Sequence, residues 1–182
     1  RISFWKVAIA FTLFGSIGNV AISCAKDFAI EAGAGETFAI TMAGMLSVCN
    51  GIGRICAGAV YDSLALRKTQ YVVCSFAIIA PLCGILAVIT GAYLLAMSAL
   101  LLCGFSYGLC PTSTAIYPKL FYGEKNYALN FSIMNLTLIP AAFIATLAGA
   151  IITGTGSYLP VFAMLTAFGA AGSIILLNTR KA

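Results

Sequence analysis

Six long apolar segments divide the 182-residue chain, and they constrain its fold more than any other feature. A helix needs about 20 mainly apolar residues to cross the hydrocarbon core of a bilayer, and each segment reaches that length. None shows the alternation of apolar and polar residues that membrane-spanning β-strands require. Because only helices and closed barrels satisfy their backbone polar groups in lipid, the sequence predicts an all-α membrane protein. The expected transmembrane helices cover residues 4–24, 38–60, 70–90, 93–116, 128–153 and 159–178.

Composition supports the membrane interpretation and excludes several functions. Hydrophobic residues make up 62% of the chain and charged residues only 8%, whereas a soluble domain has about 25% charged residues. There is no histidine, which excludes His-based triads and His–zinc sites. The seven cysteines show no Cys-x-x-Cys spacing, and the scattered basic residues form no face that could follow nucleic acid. We therefore expect membrane lipids around the chain, and no metal, cofactor or nucleic-acid partner.

The basic residues predict the orientation of the chain. Lys and Arg accumulate in cytoplasmic loops, and here most of them fall on one side of the six-helix zigzag. The other side holds Lys26 with Asp27, Glu31 and Glu36. We therefore expect both termini to be cytoplasmic at a plasma (inner) membrane, and the loop 26–36 to face the exterior. Because the chain starts without methionine beside a helix, we also expect it to be part of a longer protein. The residues on the basic side are Arg1, Lys6, Arg67, Lys68, Lys119, Lys125, Arg180 and Lys181.

The most specific pattern runs from the second predicted helix into the following loop. Gly58 would permit close helix contact at the membrane edge, and Asp62 could bind the free N–H groups of a neighbouring helix N-terminus. Such a contact could hold two helices together in one conformation and release them in another, although an ordinary solvated turn also fits the sequence. Arg67 and Lys68 could bind anionic headgroups or the carboxylate. The candidate gating residues are Asn50, Gly53, Arg54, Gly58, Asp62, Arg67 and Lys68.

The spacing of Gly58, Asp62 and Arg67 resembles the loop motif that the major facilitator superfamily carries between the second and third helices of each six-helix half. Where that motif often has a basic residue, a glycine and an arginine after the aspartate, this chain has Ser63, Ala65 and Leu66. The preceding Asn-Gly-x-Gly-Arg run and the segments 104–111 and 121–126 are similar to the oxalate:formate antiporter branch of the superfamily.

This resemblance implies a fold and a function. The chain would be the carboxy-terminal half of a twelve-helix transporter, corresponding to helices seven to twelve and built from two inverted three-helix repeats. Its partner would be the missing amino-terminal half, with the solute bound between the halves near the midplane. The solute would be a small organic anion, a carboxylate moved by exchange or symport through alternating access.

Several polar side chains are candidates for solute contact. Arg54 is the only basic residue well inside a predicted helix, and pairing with Asp62 or with a neighbour's carbonyls is favoured over direct solute contact. Antiporters of this branch are expected to carry basic residues in the helices corresponding to the second and fifth here. The fifth has none, which favours a monocarboxylate or a less charged molecule, unless the missing half supplies the cation. No acid is expected inside a helix. The cavity candidates are Asn19, Tyr107, Asn130 and Asn135.

Glycines and prolines occur inside the predicted helices. Small residues let helix backbones approach closely in lipid, so they favour bundle packing as well as helices that slide past each other. Each proline removes a backbone hydrogen bond, and in membranes such breaks often line cavities. These residues include Gly53, Gly104, Gly108, Pro81, Pro111 and Pro140.

Two other functional classes remain open at this point. A six-helix structural or signalling subunit could dimerise through its small-residue faces. An intramembrane enzyme would need paired acids, a Ser–His arrangement or metal ligands within the membrane, and the sequence shows no such set. We therefore expect transport and no catalytic residues.

Overall fold

The computed structural model describes residues 2–179, and every regular element in this range is helical. Six helical segments are long and apolar enough to cross a membrane, with α5 and α6 together forming the fifth. The prediction of an all-α chain with six spans is thus confirmed, and the spans indicate an integral membrane protein. The helices are α1 (Ile2–Glu31), α2 (Glu36–Ser63), α3 (Leu66–Thr90), α4 (Tyr93–Tyr122), α5 (Tyr127–Asn135), α6 (Leu138–Thr155) and α7 (Leu159–Leu177).

Several helices extend beyond their predicted ends. Helix α1 continues to Glu31, so the loop between α1 and α2 shortens from the predicted 26–36 to 32–35, and α2 continues to Ser63, so Asp62 lies in its last turn. The expectation that no acid lies inside a helix was therefore wrong. Hydropathy marks the part of a helix that crosses hydrocarbon, whereas the backbone hydrogen bonds continue into the interface, where charged side chains are tolerated. Gly33, at φ 99°, ends this extension of α1 because its left-handed conformation disfavours other residues.

The fifth span consists of two helices rather than the single helix expected over 128–153. Pro140 has no N–H group to donate to the carbonyl of Leu136, and its ring crowds the preceding turn. The N–H groups of Leu136, Thr137 and Ile139 instead bond carbonyls three residues back, at 3.1, 3.2 and 3.1 Å. Pro81 in α3 and Pro111 in α4 lie within continuous helices. Proline inside a span therefore does not by itself divide it.

Helices α1 and α4 form the centre of the bundle. Helix α1 packs on α2, α4, α6 and α7, and α4 packs on α1, α2, α3 and α5, while α3 and α7 pack on each other. Within the most apolar window of each span, 67% of α1 and 56% of α4 is buried, against 22% of α2 and 11% of the fifth span. Helix α2 and the α5–α6 pair therefore flank the centre and keep large faces free of contacts with the rest of the described chain.

Three glycines bring the backbones of α2 and α4 into direct contact. A Cβ atom on Gly108 would lie 2.9 Å from Gly53 Cα and 3.0 Å from the Arg54 nitrogen, and it would collide with the Asn50 carbonyl oxygen. A Cβ atom on Gly104 would lie 2.6 Å from the Leu46 carbonyl oxygen. Small residues at such positions allow close helix approach in lipid. Because the obstructing atoms belong to the backbone, they cannot move aside as a flexible side chain can.

We expect Gly108→Ala to lower the free energy of unfolding by about 1–3 kcal/mol, the usual cost of overpacking. The matched control is Gly51→Ala on α2, because no atom lies within 4 Å of the added methyl group. Alanine is also favoured over glycine in a helix by about 1 kcal/mol. Thermal unfolding in detergent should separate the two variants. Equal melting temperatures would contradict the close contact between α2 and α4.

Candidate functional site

Two of the cavity candidates, Asn19 on α1 and Tyr107 on α4, are hydrogen-bonded to each other. The Tyr107 hydroxyl donates to Asn19 Oδ1 at 3.0 Å. Gly18 makes this contact possible, because a Cβ atom there would collide with the Tyr107 ring. Both side chains remain partly exposed. The structure therefore joins two residues that the sequence could only suggest separately.

A groove between α1 and α6 begins at this pair. Its wider part, about 370 Å³, is lined by Asn19, Ser23, Ala142, Ala145 and Thr146. A narrower part of about 180 Å³ shares Ser23 and Ala145 and continues to Asp27 at the end of α1 and to Tyr158 before α7. We call this continuous depression the α1–α6 groove. It runs from the middle of the bundle towards the short 32–35 loop.

Arg54 lies on the exposed side of α2 beside Asn50. Its Nε donates to Asn50 Oδ1 at 3.2 Å, and its backbone carbonyl accepts a hydrogen bond from the Thr112 hydroxyl at 3.3 Å. The expected pairing of Arg54 with Asp62 does not form. The ion pairs within residues 2–179 are Lys26–Glu36 at 2.8 Å and Lys119–Glu124 at 2.9 Å. Since a guanidinium has five N–H donors, most of the donors of Arg54 stay available.

The gating residues near the end of α2 do not form the expected aspartate contact. No atom lies within 4 Å of a Cβ atom built on Gly58, so the close helix approach belongs to Gly53 instead. Asp62 is exposed, and so is Lys68 at the start of α3. The residue that does bind a helix end is Arg67, whose guanidinium donates to the carbonyl of Leu177 at the end of α7. A cation is favourable at that end because the helix dipole is negative there.

The remaining candidates lie on or near the fifth span. Asn135 is the last residue of α5 and is exposed at the break, and Asn130 is partly exposed. The structure does not place them against the Asn19–Tyr107 pair. In the loop before α5, a hydrogen bond from the Lys119 ammonium, together with its charge, lowers the pKa of the Glu124 carboxyl below its ordinary value. Arg1, Arg180 and Lys181, used above to predict orientation, lie outside the described residues.

A buried polar cluster near the end of α4 was missed at the sequence level. The Tyr61 hydroxyl donates to Ser113 Oγ at 2.9 Å. Tyr117, only 1% exposed, packs edge-to-face against the Tyr61 ring, and its hydroxyl has no hydrogen-bond partner within the described range. Gln70 is also buried, at 2% exposure. The available signal was a glutamine and a serine inside or beside apolar runs, but sequence alone does not show which helix faces meet.

Comparisons with known proteins give no match, either to a protein-family model or to a curated protein sequence. Within residues 2–179, no group of three or more His, Cys, Asp or Glu side chains is placed to hold a metal ion.

Tyr117→Phe is expected to stabilise the protein, because it removes a buried hydroxyl that lacks a partner, a group whose burial costs about 1–3 kcal/mol. Tyr61→Phe also removes a tyrosine hydroxyl, but this hydroxyl donates to Ser113. Its loss should lower the free energy of unfolding by about 0.5–1.5 kcal/mol. The two variants thus control for each other in thermal unfolding. A lower melting temperature for Tyr117→Phe than for Tyr61→Phe would show that the Tyr117 hydroxyl does have a partner.

Proposed function

We propose that this chain is one six-helix half of a secondary transporter for small organic anions that works by alternating access. The observation that carries the proposal is Arg54, an exposed cation on a membrane-spanning helix whose guanidinium makes, within residues 2–179, a single hydrogen bond, to Asn50. At 1.5 Å per residue it lies about 14 Å from the end of α2. A charge at such a depth is costly and is usually kept for a functional reason.

The chemistry of the Arg54–Asn50 pair suits a carboxylate. A guanidinium presents N–H groups in a planar fork that matches two carboxylate oxygens. The hydrogen bond to Asn50 restricts the side chain, and the Thr112 contact fixes the backbone at the same residue. Because the fifth span has no basic residue, a monocarboxylate fits this half better than a dicarboxylate. The resemblance to the oxalate:formate antiporter branch points to the same class of solute.

The helix contacts support two inverted three-helix repeats. If α1 is exchanged with α4, α2 with the α5–α6 pair and α3 with α7, the α1–α7 contact becomes the α4–α3 contact. The α2–α4 contact likewise becomes the contact between the fifth span and α1. All four of these helix–helix contacts are present in the structure. Since three helices cross the membrane an odd number of times, the second repeat would start on the opposite side. This is the arrangement on which alternating access depends in many transporters.

The free faces of the flanking spans support a second six-helix half as the partner. Helix α2 and the α5–α6 pair are the least buried spans, and Arg54 and Asn135 are exposed on them. The break at Leu136 and Thr137 fits the discontinuous helices that often border solute sites. The assembly would be a transporter rather than an enzyme, placed in the plasma (inner) membrane with both termini cytoplasmic.

We expect Arg54→Gln to weaken carboxylate binding about 10- to 100-fold, since a hydrogen bond to a charged group contributes about 1.5–3 kcal/mol. Lys125→Gln removes the same charge from an exposed residue between α4 and α5 and serves as the matched control. The measurement is uptake of a panel of radiolabelled mono- and dicarboxylates into liposomes that contain the complete transporter. Loss of uptake in both variants would indicate a surface-charge effect, and indifference to every carboxylate would refute the proposed function.

A further inference from the structure

The narrower part of the α1–α6 groove has a chemical character opposite to that of Arg54. None of its lining residues is basic. Its single formal charge is the carboxylate of Asp27, near the end of α1. Lys26, the adjacent cation, pairs with Glu36 at 2.8 Å, and Asp27 is in neither of the ion pairs of the described range. The carboxylate of Asp27 is thus available to a ligand in the groove.

Three side chains of the groove, Ser23, Cys24 and Thr153, donate their protons to backbone carbonyls. Ser23 donates to the Asn19 carbonyl at 2.8 Å, Thr153 donates to the Gly149 carbonyl at 2.9 Å, and the Cys24 thiol donates to the Val20 carbonyl at 3.0 Å. A hydroxyl that donates in this way still has free lone pairs. Ser23 and Thr153 therefore present acceptors to the groove, as does the carboxylate of Asp27.

Tyr158 adds a further oxygen to the groove. Its side chain lines the groove and is only 4% exposed, and its hydroxyl makes no hydrogen bond to any other described residue. The lone pairs of this hydroxyl are therefore also available to accept an N–H group from a ligand in the groove.

We propose that the narrow part of the α1–α6 groove binds a small primary ammonium ion, with Asp27, Ser23 and Thr153 accepting its N–H groups. An ammonium carries three donors and no acceptor, which complements a groove that offers mainly lone pairs. The volume of about 180 Å³ and the apolar walls at Ala148 and Ile152 accommodate a short alkyl chain. A bare metal ion fits less well, because Ca²⁺ requires six to eight oxygen ligands. This site is separate from Arg54 and does not rest on transport.

The test is the affinity of the purified protein for propylammonium, measured by calorimetric titration at constant ionic strength, with propionate and sodium as comparison ligands. Asp27→Asn should weaken propylammonium binding by about tenfold or more, as expected on losing a charge-assisted hydrogen bond. The matched control is Glu31→Gln, one turn further along α1, which removes the same charge from a residue that does not line the groove. The affinity of the Glu31→Gln variant for propylammonium should stay within about twofold of that of the unchanged protein.

Three results would overturn the assignment: no measurable binding of propylammonium, equal binding of propionate, or an equal loss in Asp27→Asn and Glu31→Gln. The last would reveal attraction to the acidic helix end rather than a site. Tyr158→Phe adds a readout specific to the groove, because it should weaken binding without changing the charge. Arg54→Gln should leave propylammonium affinity unchanged, so failure of carboxylate uptake and failure of this site are distinguishable.

Discussion

The close approach of α2 to α4 is the contact on which the proposed anion site depends. Gly108 meets the backbone of α2 at Asn50, Gly53 and Arg54, which are also the residues that carry or flank the guanidinium. The absence of a side chain at Gly108 therefore fixes the depth and rotation of Arg54 relative to the centre of the bundle. In lipid, where apolar helices gain little by hiding from solvent, such backbone contact is a main source of specific association.

Charge is distributed along the described chain in a way that separates two kinds of ligand. Arg54 lies towards one end of the spans, whereas Asp27 lies near the other end, beside the short 32–35 loop. The Lys26–Glu36 pair neutralises itself and leaves Asp27 and Glu31 as the net charge of that end. An anion would be repelled there and attracted at Arg54, so the two proposed sites do not compete for the same molecule.

The sequence was sufficient to predict the number and approximate position of the spans, because hydrocarbon thickness sets a length that apolar runs must match. It did not reveal where helices end, because the sequence predicts loops at Asp27 and Asp62, whereas both residues lie within helices. It also could not distinguish Gly53 from Gly58, or Pro140 from Pro81, since each pair has the same local chemistry. Which neighbour a residue meets decides these cases. The Asn19–Tyr107 bond depends in the same way on tertiary contact at Gly18.

The break in the fifth span has a mechanical consequence. Helix α5 packs on α4, whereas α6 packs on α1, where Ala141 lies beside Gly15. The two parts of one span thus belong to different neighbours and are joined only through Leu136 and Thr137. If α1 were displaced against α4, this short joint could absorb the displacement through changes in a few backbone dihedrals, whereas an unbroken helix packed on both neighbours would oppose it.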